Sequence, residues 1–185
     1  QNKNGGSFLM AYNSTVGNVV QTVTNTYQGF VAYTNVSTSS QVTITQLSTS
    51  ITPKFNNSKI LVLASITFDW TRDNSGCGFI VYRDNQGGTD AELAKGNALS
   101  NNYRVYTDLG ANANADQSCM QRTINLVDSP STNNNIQYQI RLQNSSNGGG
   151  RNFILNASQH ANGNDGNQSD DPKCVSVVTL MELAQ

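Results

Sequence analysis

Apolar residues come in short runs along most of the chain, separated by Gly, Asn, Asp, Ser and Pro, and where they alternate with polar residues the period is two. Residues 136–143 show it best. Ile136, Tyr138, Ile140 and Leu142 fall on one side and Gln137, Gln139, Arg141 and Gln143 on the other, as in a strand with one buried and one wet face. Cys119 to Asp128 repeats the pattern, with Met120, Ile124 and Leu126 set against Gln121, Thr123 and Asn125; Ser129-Pro130 then ends it, because proline cannot donate to a ladder. Lys59 to Trp70 is the strongest apolar run, and Ile60 to Ala64 is apolar at every position, which predicts a central strand covered on both faces. Val19 to Val23, Phe30 to Val36 and Gln41 to Leu47 precede it, rich in residues that suit a pleated surface, with a break at Pro53.

Phe79 to Arg83 and Tyr103 to Leu109 follow as strands, while Thr89 to Gly96 fits a short strand and a single helical turn equally. Arg151 to Ala157 is joined to the Ile136 strand by Gly148-Gly149-Gly150, which predicts an antiparallel hairpin between the two. Cys174 to Leu183 is the final strand. No helical period runs beyond two turns. About ten strands at short intervals predict an all-β chain: an antiparallel β-sandwich of jelly-roll type.

Residues 1–17 break the rhythm, mixing glycines and polar residues with an apolar island, Phe8-Leu9-Met10-Ala11-Tyr12. They read as an arm, with residues 18–185 forming one β-sandwich domain of ordinary size. The arm is either a frayed terminus or an anchor that lays Phe8, Leu9, Met10 and Tyr12 on a neighbouring chain, since an exposed island of this kind is otherwise a liability.

Composition narrows the function. Only 12% of residues are charged and the net charge is -1, with the eleven Lys and Arg scattered, so nothing provides the basic stripe of a nucleic-acid binder. No stretch approaches the roughly 20 apolar residues of a membrane-spanning helix, and no basic-then-apolar leader opens the chain, which starts at Gln1 and leaves room for residues before it. Neither a membrane nor nucleic acid is expected as a partner.

The inventory of reactive side chains is thin. Cys77, Cys119 and Cys174 are odd in number and far apart, which argues against a disulfide framework or zinc site and predicts three small core residues. His160 is the one histidine, set in a Gly/Asn-rich loop ill suited to holding a catalytic triad. Asp69, Asp73, Asp84, Asp128 and Asp170-Asp171 mostly flank turns, where Asp caps backbone N–H groups, and the only glutamates are Glu92 and Glu182. The loop from Asn162 to Asp171 offers oxygens to a hard cation without the spacing of a calcium loop, and Gly148-Gly149-Gly150 lacks the following helix that an anion site needs. The N-x-[ST] triplets at Asn13, Asn35, Asn56, Asn144, Asn156 and Asn167 arise by chance in a chain this rich in Asn, Ser and Thr. The expectation is a chain that binds or builds, with no enzyme activity, cofactor or metal.

Several segments in order resemble a family of bacteriophage virion structural domains, found in tail-fibre-like and head decoration proteins of phages from aquatic hosts, cyanobacteria among them. They are Gly17-Asn18-Val19-Val20-Gln21, Ser50-Ile51-Thr52-Pro53 followed by Asn57 to Leu63, Gly78 to Asp84 ending in Arg-Asp, Leu126-Val127-Asp128-Ser129-Pro130 leading to Tyr138-Gln139-Ile140, and Thr179 to Ala184. The resemblance implies a β-sandwich on the virion surface, made in the host cytoplasm, forming a homotrimer and contacting other virion proteins such as a major capsid protein or tail components. It implies no catalytic site. Two roles fit: a capsid decoration or cement protein held by its arm, or the receptor-binding head of a tail fibre that recognises a host-surface glycan. For the second, Trp70, Tyr103, Tyr106 and His160 are the candidate contacts, since sugars stack on aromatic faces.

Overall fold

The computed structural model describes residues 17–37, 41–70, 77–86, 88–93, 107–108, 119–144, 151–158 and 174–185. Their strands, in chain order, are β1 (Val19–Tyr27), β2 (Val31–Val36), β3 (Gln41–Thr43), β4 (Thr49–Ile51), β5 (Lys59–Trp70), β6 (Cys77–Asp84), β7 (Ala91–Leu93), β8 (Thr107–Asp108), β9 (Met120–Asp128), β10 (Ile136–Asn144), β11 (Arg151–Leu155) and β12 (Ser176–Leu183). All pairings are antiparallel and fall into two sheets.

The register shows that several neighbours in sequence are pieces of one interrupted strand. Along β5, β12 pairs with residues 59–65 and β11 with 68–70 on one edge, while β9 runs along the other edge from Ile60 to Phe68. β1 and β2 continue each other in the same way against β12 and β11. In the second sheet β3 and β4 share one edge of β10, and β7 and β8 share one edge of β6. Counting each such pair as one strand leaves eight, in the order first-eighth-third-sixth in one sheet and second-seventh-fourth-fifth in the other. That order is the double Greek key of a jelly roll, so the fold predicted from the pattern is the fold found.

The interruption between β3 and β4 has a visible cause. Gln41 to Leu47 reads as one strand, but a 3-10 turn occupies Thr45–Leu47. Ile44 and Leu47 are both fully buried. A strand would put residues three apart on opposite faces; the tight turn puts both inside.

The core lies between the sheets and joins both. Phe68 and Phe153 of the first sheet stack at 5.5 Å, and Phe79 of the second meets them edge-on at 5.3 and 5.9 Å. Ile60, Val62, Ile66, Ile124, Ile136, Tyr138, Ile140 and Leu180 extend the same cluster. The alternation of β10 holds, with Ile136, Tyr138, Ile140 and Leu142 inward.

Three expectations are corrected. β10 and β11 do not form a hairpin: both edges of β10 are taken by β6 and by β3 and β4, so the chain crosses to the other sheet, where β11 pairs with β2 and β5. In β5, Leu61 and Leu63 are half-buried on the outer face, and the strand is closed on both faces only from Ile66 to Trp70. Cys119 and Cys174 are half-buried and lie outside the core cluster, because each sits just before a strand begins. The alternatives for Thr89 to Gly96 resolve to strand over Ala91–Leu93.

Candidate functional site

Polar side chains gather at three joints where distant segments meet. The first links the two sheets. Arg83 on β6 and Tyr138 on β10 sit opposite each other across their ladder. Asp128 closes β9 in the other sheet, and its Oδ2 accepts from Arg83 Nη1 at 2.7 Å and from the Tyr138 hydroxyl at 2.7 Å. Burial pushes the Tyr138 phenol well above its ordinary pKa, and the negative charge and hydrogen bond of Asp128 push the same way against the opposing Arg83. The phenol therefore stays a donor. Asp128 is an ion-pair partner rather than the turn cap expected of it; Asp84 does cap its turn, accepting from Gln86 N at 2.8 Å.

The second joint is built on Glu182, fully buried on β12. Its Oε1 accepts from Lys54 N (2.8 Å), Phe55 N (3.2 Å) and Ser58 Oγ (2.7 Å), and its Oε2 from Gln21 Nε2 (2.7 Å). Four donors replace the water that a carboxylate loses on burial, and together they pin the 52–58 connection against the last strand and β1.

Asn156 makes the third, in the gap between β11 and β12. Its Nδ2 donates to the carbonyls of Tyr27 (2.8 Å) and Gly29 (2.9 Å), and its Oδ1 accepts from Ser176 Oγ at 2.6 Å, while Ser176 Oγ accepts from Thr67 N at 3.0 Å. The backbone at Asn156 is left-handed, φ +61, a conformation that Asn tolerates better than most residues. Buried and fully engaged, this Asn is no glycan acceptor, as the chance reading of its triplet expects.

The two outer faces differ in chemistry. On the first sheet Thr22, Thr24, Thr26, Leu61, Leu63, Val127, Val177 and Thr179 are exposed or half-buried. A shallow groove of about 310 Å³ runs there beside Leu63, Ser65, Thr123, Asn125, Val177 and Thr179, with no charged side chain among these. On the second sheet Arg141 lies 3.5 Å over the Tyr82 ring and donates twice to Gln139 Oε1, whose own amide reaches Asp84 Oδ2 at 3.4 Å.

Of the glycan-contact candidates, Trp70 is described and is 2% exposed in the core, so its ring offers no face to a sugar. Tyr103, Tyr106 and His160 lie outside the described residues, as do the arm residues Phe8, Leu9, Met10 and Tyr12, the loop from Asn162 to Asp171, Asp73 and Cys77's side chain. Among the described residues no group of three or more His, Cys, Asp or Glu side chains is placed to hold a metal ion, and no helix is long and apolar enough to cross a membrane. Sequence reasoning passed over Glu182 and Asn156. Glu182 does carry a signal: Ser176, Val178, Leu180, Glu182 and Ala184 share the inward face of β12, so the carboxylate falls at a core position.

No protein-family model matches the chain, and no curated protein sequence matches it. Solved structures resemble the fold: the T13 infectious bursal disease virus particle, at 12% identity and TM-score 0.44 over 90% of this chain and 38% of that one; the Gx strain of the same virus, at 15% and 0.42 over 89% and 36%; and its VP2 subviral particle, at 13% and 0.36 over 89% and 37%. The chain thus spans under two fifths of the length of these proteins. At such scores the likeness assigns neither a family nor a function.

Proposed function

We propose that this chain is a structural protein of a bacteriophage particle, standing on the capsid surface as a decoration or cement protein and acting by contact with neighbouring subunits, without catalysis. The observation that supports it is where the family resemblance falls. Ser58, Arg83, Asp128, Tyr138 and Glu182 come from four of the segments that resemble virion domains, and they are the residues that join the sheets and fasten the last strand. A likeness seated on the joints of a fold is a likeness of architecture, not of an Asn-rich surface. Low charge suits the role, because closely spaced copies then meet without like-charge repulsion.

The arm supplies the attachment. Its island of Phe8, Leu9, Met10 and Tyr12 carries the apolar surface that a shell of identical sites would hold, and a homotrimer on the particle would present three arms together. The receptor-binding alternative would use a host-surface glycan, but Trp70 is not available to it. The expected result of deleting residues 1–16 is a folded domain that is lost from purified particles, read by quantitative mass spectrometry against the major capsid protein. Unchanged occupancy would remove the arm from the account.

A further inference from the structure

Each sheet of an open sandwich has two edge strands, and an edge with unpaired N–H and C=O groups invites another strand unless it is blocked. Three of the four edges here carry a block. On the second sheet, among the described residues, β3 and β4 are three residues each and are split by the 3-10 turn, and on the opposite edge β7 and β8 are three and two residues long. On the first sheet, β9 carries Arg122 and Asp128.

The fourth edge carries none along most of its length. β1 reads Val-Val-Gln-Thr-Val-Thr-Asn-Thr-Tyr: nine residues, no charge, no proline. Its only irregularity lies between Val19 and Gln21, and from Gln21 to Tyr27 the register against β12 is unbroken. β12 is its one strand partner among the described residues. The side chains of Gln21 and Asn25 reach the carbonyls of Thr52, Gln46 and Ser48, so the strand is fastened to the other sheet, while among the described residues no strand pairs with its outer backbone edge.

We propose that this edge is an interaction surface whose occupant is β1 of a second copy, added antiparallel about a two-fold axis near Thr24, so that two first sheets become one continuous sheet. An isologous contact requires a surface complementary to itself. An uncharged strand meets that condition, since no register sets like charges opposite each other. A second observation fits the same geometry. Val19 is 55% exposed at the start of the strand and Phe30 is 50% exposed three residues past its end, in the β1–β2 corner; antiparallel pairing centred on Thr24 brings the start of one copy's strand up to that corner of the other, with Val19 facing position 29. The contact stands on the strand edge alone and does not depend on the particle reading: a chain that stays monomeric in solution would end this proposal and leave that one standing.

Sedimentation equilibrium of the full chain tests it. The parent chain is expected to associate in the micromolar range, and Thr24→Lys, at an exposed position, to weaken association at least tenfold by placing two ammonium groups across the axis. Thr24→Glu is expected to do the same, and an equimolar mixture of the two variants to associate again. Thermal unfolding of each variant within a few degrees of the parent shows that the fold survives. No association of the parent chain, association indifferent to Thr24→Lys, or a mixture that fails to reassociate would each overturn the proposal. So would loss of association on deleting residues 1–16 with Thr24→Lys silent, which would give the edge to the arm.

Discussion

At Asp128 a single carboxylate oxygen receives two donors from the opposite sheet, and the consequence is measurable at Tyr138. The phenol's pKa is raised in the folded chain, chiefly by burial, while in the unfolded chain it ionises near its ordinary value of about 10. Below that value both states hold the proton; above it only the folded state does. Fewer protons bound in the unfolded state means stability falls as pH rises past about 10, by up to about 1.4 kcal/mol per pH unit. Tyr138→Phe is expected to cost about 2 kcal/mol at neutral pH, the worth of a hydrogen bond to a charged group, and to flatten that alkaline decline by one proton. Urea unfolding from pH 7 to 11 checks both, and parallel declines in parent and variant would contradict the role given to the phenol. At this scale the sequence was readable where alternation was strict, as for Ile136, Tyr138, Ile140 and Leu142. It was opaque where a polar side chain does structural work. Asp128 beside Ser129-Pro130 looks like a turn cap, and only the other sheet, supplied by Arg83 and Tyr138, makes it an ion pair.

Elements were legible as strands but less so as pairs. β1, β5, β9, β10 and β12 all fall within or across the stretches that composition marks, because local alternation and β-branched residues are enough to place a strand. Which strand lies beside which is set by long-range burial. Gly148-Gly149-Gly150 suggests a hairpin, yet Leu142 and Phe153 enter the core from opposite sheets. The joint at Asn156 shows the same dependence: its side chain ties the β1–β2 corner to Ser176 at the start of β12, and the Ser176 hydroxyl carries the tie on to β5. Asn156→Ala leaves the Tyr27 and Gly29 carbonyls without their donor and puts an alanine at φ +61. The expected loss is about 3 kcal/mol. Asn156→Gly, which accepts that backbone freely, is expected to recover about 1 kcal/mol of it in denaturant unfolding. Equal stability of the two variants would show that the left-handed backbone carries no cost.

The described residues form a jelly roll with polar joints, and among them the edge strand β1 carries no charge and no proline. Its class, a sandwich of jelly-roll type, was expected from strand spacing; which strands lie side by side in the double Greek key exists only in the register. Of the glycan-contact candidates, Trp70 alone lies among the described residues. Trp70 was chosen as an aromatic and is a core residue, because an indole in a run that includes Ile66 and Phe68 is more useful for packing than for display. What unites the scales is that the polar side chains of Asp128, Glu182 and Asn156 hold distant segments together, while the proposed role is contact with copies and neighbours. Cryo-electron microscopy of purified phage particles bearing a labelled copy of this chain tests that account most directly: it predicts density for a jelly-roll domain repeated over the capsid surface in register with the shell. Particles in which the label is absent, or is confined to the tip of a tail fibre, would contradict it.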